Sequence, residues 1–241
     1  ANDAPVVTTT STARSYTENA SAIVANNDLS LVDVDNTSLT GATVQITTGL
    51  TTGDALAFTA ANGITGTYDS TTGKLTLTGT ATVAQYQAAL QTVTYSSTND
   101  NPTTVSATRT LTWQVNDGSG TANLSNNATS TINVTAVNDA PVLTDTALSM
   151  PAVLQNSGAP TGTMGSLVSA MIGGMSDVDT GAAKGVAITG VSNGTLYFST
   201  DGGTNWSTVE NASNTNAMLL KSDADNRIYF KPDAGFSGMA D

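Results

Sequence analysis

Cysteine and histidine are both absent from the 241 residues. Without cysteine there can be no disulfide, no thiolate metal site and no thiol nucleophile. Without histidine the commonest general base and the usual transition-metal ligand are gone, and a Ser-His-Asp triad cannot form within the chain. Paired carboxylates remain for hydrolytic chemistry, but no two acids gather beside an aromatic sugar-binding run. The expectation is a protein that is not an enzyme. Charge is scarce as well, at 11% of residues, and it is lopsided: 19 acidic side chains face 7 basic ones, a formal net charge of −12. Such a surface repels phosphate backbones, so nucleic acid is not an expected partner. No apolar run approaches the ~18 residues of a membrane span and no signal peptide opens the chain, so membrane insertion is not expected. Beginning in mid-motif at Ala1-Asn2-Asp3, the chain reads as a piece of something longer.

Thr, Ser, Asn, Asp and Gly fill most of what is not hydrophobic, a composition suited to short strands joined by turns. Long stretches with Leu, Glu, Lys and Arg at a period of 3.6 are missing, which argues against helical or βα-alternating folds. The expected class is all-β.

The chain repeats itself. Asn2-Asp3-Ala4-Pro5-Val6-Val7 returns as Asn138-Asp139-Ala140-Pro141-Val142-Leu143, and Asp33-Val34-Asp35-Asn36 is echoed by Asp177-Val178-Asp179-Thr180. Two echoes in the same order imply two copies of one scaffold, at 1–138 and 139–241. In the first copy, strand runs are expected at Thr43–Ile46, Leu56–Ala60, Gly66–Tyr68, Lys74–Thr78, Thr92–Tyr95, Arg109–Val115 and Thr129–Val137, with Trp113 in the core. One segment, Thr82 to Leu90, places Val83, Tyr86 and Leu90 at helical spacing behind a capping Thr82, predicting a short crossover helix. The second copy carries strand runs near Gly185–Gly190, Thr195–Ser199, Ala217–Leu220 and Arg227–Lys231, and nothing that corresponds to the last two strands of the first. Either the copy is cut within a domain, or another chain supplies the missing edge.

The Asn-Asp-Ala-Pro junction, Glu18 in Tyr16-Thr17-Glu18-Asn19, the Asp33-Val34-Asp35 pair and Asp117-Gly118-Ser119-Gly120 resemble the cadherin repeat in their spacing. Closer still is the similarity to cadherin-like repeats of large bacterial adhesins exported by type I secretion, including RTX proteins. There, Val-Asn-Asp-Ala-Pro junctions and Asp-Val-Asp loops recur with a hairpin like Phe198-Ser199-Thr200-Asp201-Gly202-Gly203-Thr204-Asn205-Trp206. The resemblance implies tandem cadherin/immunoglobulin-like β-sandwiches, a cell-surface or secreted location, and calcium at the junctions. Carried over residue by residue, it implies one calcium site from Glu18, Asn138, Asp139, Asp177 and Asp179, and half of another from Asn2, Asp3, Asp33, Asp35 and Asp117. The Asp-Arg-Glu motif of animal cadherins has no counterpart here. Each acid also has a plainer role as a turn former, which is the expectation for Asp69, Asp100 and Asp201.

Ser199 to Trp206 also fits the Asp-box hairpin seen in sialidase propellers, where it is a folding element. Trp206 and Tyr197 are candidates for stacking on a sugar, against packing within the hairpin. The function expected from the resemblance is a calcium-stiffened extender in a biofilm-type surface adhesin, whose partners are its neighbouring repeats. The alternatives are a filament subunit that self-associates head to tail by strand donation, and a glycan-binding or homophilic adhesion module.

Overall fold

The computed structural model describes residues 1–144 and 149–239. The fold is all-β and sandwich-like, and the chain divides into two compact units, Ala1–Asp139 and Ala140–Asp241.

Unit 1 is built from β1 (Val6–Thr8), β2 (Arg14–Thr17), β3 (Ile23–Val24), β4 (Ser30–Val32), β5 (Ser38–Thr48), β6 (Asp54–Ala57), β7 (Thr65–Asp69), β8 (Lys74–Thr82), α1 (Val83–Leu90), β9 (Thr94–Ser97), β10 (Thr108–Asn116) and β11 (Ala128–Thr135). One sheet runs in the order β2-β11-β10-β5-β8-β7, another in the order β3-β9-β6, and β1 pairs with β4. Strict alternation puts Arg109, Leu111, Trp113 and Val115 of β10 inside, opposite Ala128, Ser130, Ile132 and Val134 of β11. Trp113 is fully buried, and its indole donates to Ser130 Oγ at 2.8 Å, so the ring brings no unpaired N–H into the core. Arg109 belongs to the same face and is equally buried. Its Nε sits 2.6 Å from Asp54 Oδ2, and Pro102 O and Ser106 O accept from the other guanidinium nitrogens. Tyr95 donates to the second Asp54 oxygen at 2.7 Å, which completes a buried polar network.

The helix forms where its spacing predicts. Thr82 Oγ1 accepts from Gln85 N while Gln85 Oε1 accepts from Thr82 N, a reciprocal capping box. Tyr86, Ala89 and Leu90 are buried, and Val83 packs against the core at its edge. Four strand expectations were too long: the runs at Thr129–Val137 and Gly185–Gly190 end at Thr135 and Ile188, and two others have a visible local cause. The run at Leu56–Ala60 stops at Ala57, because the chain turns at Asn62-Gly63, where both residues have positive φ. The run at Thr92–Tyr95 begins only at Thr94, because the Thr92 and Val93 amides still donate to Ala89 and Leu90 carbonyls at the end of α1.

Unit 2 contains β12 (Val142–Leu143), β13 (Ser166–Leu167), a 3₁₀ turn at Val168–Ala170, β14 (Met175–Ser176), β15 (Gly185–Ile188), β16 (Gly194–Ser199), β17 (Ser207–Thr208), β18 (Met218–Lys221) and β19 (Arg227–Pro232). The repeated motifs are repeated as structure. In unit 1 Val6, after Pro5, pairs with Val32, just before Asp33; in unit 2 Val142, after Pro141, pairs with Ser176, just before Asp177. Chain order and antiparallel pairing match further: β3-β9-β6 has its counterpart in β13-β19-β16, and β5-β8 in β15-β18. Among the described residues of unit 2, nothing pairs as β10 and β11 do.

Candidate functional site

Strand direction separates the predicted site residues of unit 1 into two poles. β11 pairs with β10 from Ala128, opposite Trp113, to Asn133, opposite Thr108. Asp117, just beyond β10, therefore lies at one pole, and whatever follows β11 lies at the other.

At the first pole, Asn2, Asp3, Asp33, Asp35 and Asp117 come together. Asn2 Nδ2 donates to Asp117 Oδ2 at 2.9 Å, the Asp3 amide donates to Asp35 Oδ2 at 3.0 Å, and Asp33 Oδ1 accepts from the amides of Asp35 and Asn36 at 3.2 and 2.9 Å. Two further residues belong to the cluster although the acidic pattern does not name them. Asn36 Nδ2 reaches Asn2 Oδ1 at 2.6 Å and Asp117 Oδ2 at 3.3 Å, and Ser119 Oγ donates to Asn2 Oδ1 at 2.8 Å. The signal for Asn36 was its place directly after the Asp-x-Asp pair. Burial pushes the Asp117 carboxyl upward, but hydrogen bonds from Asn2, Ser119 and Asn36 outweigh it and hold the group below its ordinary value. The amides of Asn2 and Asn36 thus stand between carboxylates. Among the described residues no three acidic side chains converge closely enough to be picked out as a metal cage.

The second pole is formed by Glu18, the residue after β2. Parallel pairing of β2 with β11 carries Glu18 to the end of β11, where its amide donates to Thr135 O at 2.9 Å. Its side chain is only 4% exposed. Oε2 accepts from the Val137 amide at 2.9 Å, tying the carboxylate to the segment that leads into Asn138 and Asp139. Asn138 folds its side-chain amide onto Asp139 O at 2.7 Å, as Asn2 does onto Asp3 O at 3.3 Å.

One oxygen at each pole has no hydrogen-bond partner although it is buried: Glu18 Oε1 and Asp33 Oδ2. A buried carboxylate oxygen without a donor is costly, and nearly all buried polar atoms in proteins find one. The other ligands on offer at these poles are carboxylates, side-chain amides and backbone carbonyls, all hard oxygens that suit calcium rather than zinc or copper.

In unit 2, Asp177 and Asp179 form the same turn as Asp33 and Asp35, with the Asp179 amide donating to Asp177 Oδ1 at 3.0 Å. A third turn of this kind, at Asp223-Ala224-Asp225-Asn226, was not singled out by the repeat; Asp223 Oδ1 accepts from the amides of Asp225 and Asn226 at 3.0 and 2.7 Å.

The Asp-box is a hairpin. β16 and β17 pair across it, Ser199 Oγ bonds Asp201 Oδ1 and the Gly203 amide, and Asp201 accepts from the Asn205 amide and its side chain at 2.9 and 2.6 Å. These bonds, that from the Asn205 backbone above all, lower the Asp201 carboxyl to about 2. Gly203, at φ +101°, lies so close to Gly162 O that any Cβ would clash with it. Trp206 is half-buried. Its indole donates to Gly162 O at 3.1 Å and its ring meets Tyr229 edge-on, 6.5 Å between centroids, so Trp206 is engaged in packing the hairpin. Tyr197, Phe198, Trp206 and Met218 line a shallow, open cavity beside it.

No family model matches the chain, and no solved structure does. No helix among the described residues is long and apolar enough to cross a membrane. One curated protein is similar over part of the chain: halomucin of Haloquadratum walsbyi, 39% identical over 100 residues, which is 39% of this chain and 1% of halomucin. The chain is therefore similar to one short stretch of a very long protein.

Proposed function

We propose that this chain is an extender segment of a large extracellular bacterial surface protein, and that calcium at the poles of its domains stiffens the connections between them. The observation that carries the reading is the pair of orphaned carboxylate oxygens, Glu18 Oε1 and Asp33 Oδ2, at the two ends of one sandwich. An ion at Glu18 would draw on the linker residues Asn138 and Asp139, which the Val137–Glu18 bond already holds close. An ion at the other pole would draw on Asp33, Asp35, Asp117 and Asn2. Calcium supplies charge compensation and six to eight oxygen contacts there; the protein's part is to bring acids from distant positions of the chain to one place. Without the ion the carboxylates repel and the linker loosens. The likeness to a short stretch of a very long protein supports reading this chain as one segment of a larger surface protein. Adhesion would then belong to other parts of the parent.

Extracellular modules bind calcium with Kd of about 10⁻⁴ to 10⁻³ M. At a hundredfold excess over Kd, each site adds about 2.7 kcal/mol to the bound form, a rise of roughly 10 °C in melting temperature for a domain of this size. The test is thermal unfolding in EDTA and in millimolar calcium for the natural chain, Glu18→Gln and Asp33→Asn. Calcium should raise the melting temperature of unit 1, and each substitution should shrink that rise while leaving the EDTA value unchanged or higher. A melting temperature indifferent to calcium would sink the proposal.

A further inference from the structure

Unit 1 shows what covers an edge that unit 2 leaves bare. β5 is flanked on one side by β8 and on the other by β10, with Val44 opposite Trp113 and Ile46 opposite Leu111. Its inward residues Ala42, Val44 and Ile46 are 4%, 0% and 2% exposed. β15 occupies the place of β5 and has β18 where β5 has β8. On its other side, among the described residues, no strand pairs with it, and its inward residues Val186 and Ile188 are only half-buried.

The backbone geometry says which groups are unused. The Ser222 amide donates to Lys184 O, so Lys184, Val186 and Ile188 are the hydrogen-bonding positions toward β18. Gly185 and Ala187 then point their N–H and C=O groups outward. An exposed edge in a natural sheet is ordinarily blunted by a charge, a proline or a bulge. Gly185-Val186-Ala187-Ile188 has none of these. The edge is built to be covered.

We propose that the open edge of β15 is an acceptor site for one antiparallel strand of the β10 kind, an extended segment with apolar side chains at alternate positions. In unit 1 the strand in this place is β10, whose Leu111 and Trp113 pair with Ile46 and Val44 of β5. Docking would place apolar side chains over Val186 and Ile188 as Leu111 and Trp113 lie over Ile46 and Val44. This inference does not depend on calcium.

The probe is a synthetic peptide with the sequence of β10, Thr108 to Asn116, added to the intact chain while amide hydrogen exchange is followed by NMR. At saturating peptide, exchange at Gly185 and Ala187 should slow by roughly tenfold or more, while Val186 and Ile188, already bonded to β18, change little. Ala187→Pro removes an outward N–H that the β15–β18 ladder does not use, and it should abolish the response. A peptide with Leu111 and Trp113 both replaced by Asp should fail to protect the natural chain, which keeps the test independent of how well the proline variant folds. No slowing at Gly185 and Ala187 at any peptide concentration overturns the proposal. So does protection that appears without peptide as the chain is concentrated, since that would assign the edge to a second copy.

Discussion

Two copies of one strand plan sit in this chain, and only one of them has a deep core. In unit 1 the faces of β5, β8, β10 and β11 close over one another, and Leu39, Val44, Leu77, Leu111, Trp113 and Ile132 are all at 0% exposure. Among the described residues, the cluster in unit 2 has four buried members, Val168, Leu196, Leu220 and Ile228, ringed by partly buried residues such as Val186, Ile188, Phe198 and Phe230. The residues available in unit 2 are as apolar as those of unit 1. What differs is the cover: among the described residues nothing occupies the positions of β10 and β11, so one layer ends at β15. Burial of about 25 cal/mol per Å² of apolar surface is the main force holding a small sandwich together, so the two units should differ in stability far more than their shared plan suggests.

The largest expected effect would break unit 1 at its buried ion pair. Asp54→Ala leaves the Arg109 guanidinium enclosed at 0% exposure with two carbonyls and no counter-charge. Removing one partner of a buried pair costs about 3–5 kcal/mol. Two-transition melting should show the unit 1 transition falling steeply while that of unit 2 stays in place. A loss below about 1 kcal/mol, the range of exposed pairs, would mean that water reaches Arg109.

This pair also marks how far the sequence could be read. Alternation along Arg109-Thr110-Leu111-Thr112-Trp113-Gln114-Val115 places Arg109 on the same face as Trp113, so the arginine's burial was implied by the pattern that identified the strand. Its partner was not. Asp54 lies 55 positions away at the start of β6, in a stretch of Thr, Gly and Asp that looks like any turn. Most strands with four or more alternating positions were legible for a related reason, because a period of two needs that length to show; β2, at Arg14–Thr17, has only that minimum and was not. β1, β3 and β4 are two or three residues long and carry no period. β1 is instead held by β4 and by Asn126, whose side-chain amide bonds both the N–H and the C=O of Val7 at 2.9 Å. At the candidate site, spacing named the acids that gather around Asn2 but missed Asn36 and Ser119. A pattern of carboxylates cannot show which neutral side chains will hold them apart.

A second substitution sharpens the comparison from the other side. Leu220 is 3% exposed in unit 2, where its neighbours have room to relax into a void. Leu220→Ala should therefore cost near the lower end of the 2–5 kcal/mol range for Leu→Ala, roughly 2 kcal/mol. Leu111→Ala, in the closed core of unit 1, should cost near the upper end. Chemical denaturation of both variants, read separately for each unit, checks this. Equal losses would mean that the core of unit 2 is as tightly packed as that of unit 1.

Smaller again is the helix cap. Thr82 closes α1 through two reciprocal bonds with Gln85, and α1 has no counterpart among the described residues of unit 2. Thr82→Ala should lower the stability of unit 1 by about 1 kcal/mol and leave unit 2 unchanged. An effect confined to fraying of α1, visible as fast exchange at Gln85 without any change in melting, would show that the helix is not coupled to the sandwich beneath it.

The smallest effect belongs to unit 2 and turns on acid. Asp201 is lowered to about 2 by its bonds with Asn205 and Ser199, whereas in an unfolded chain an aspartate titrates near 3.9. A carboxyl depressed by folding favours the folded state when it is ionised, so its contribution is complete above pH ~4 and fades as the pH falls toward ~2. Because Asp201 is exposed on the hairpin, water screens much of this gain. The natural chain and Asp201→Asn should differ in unit 2 melting at pH 5 and converge near pH 2, with unit 1 the same in both. Asp117 is also held low, but at the pole of unit 1, so acid should weaken that unit independently. If Asp201→Asn left the acid sensitivity of unit 2 untouched, the hairpin would be held by Gly203 against Gly162 and by the Trp206 indole, with Asp201 riding on a turn already made.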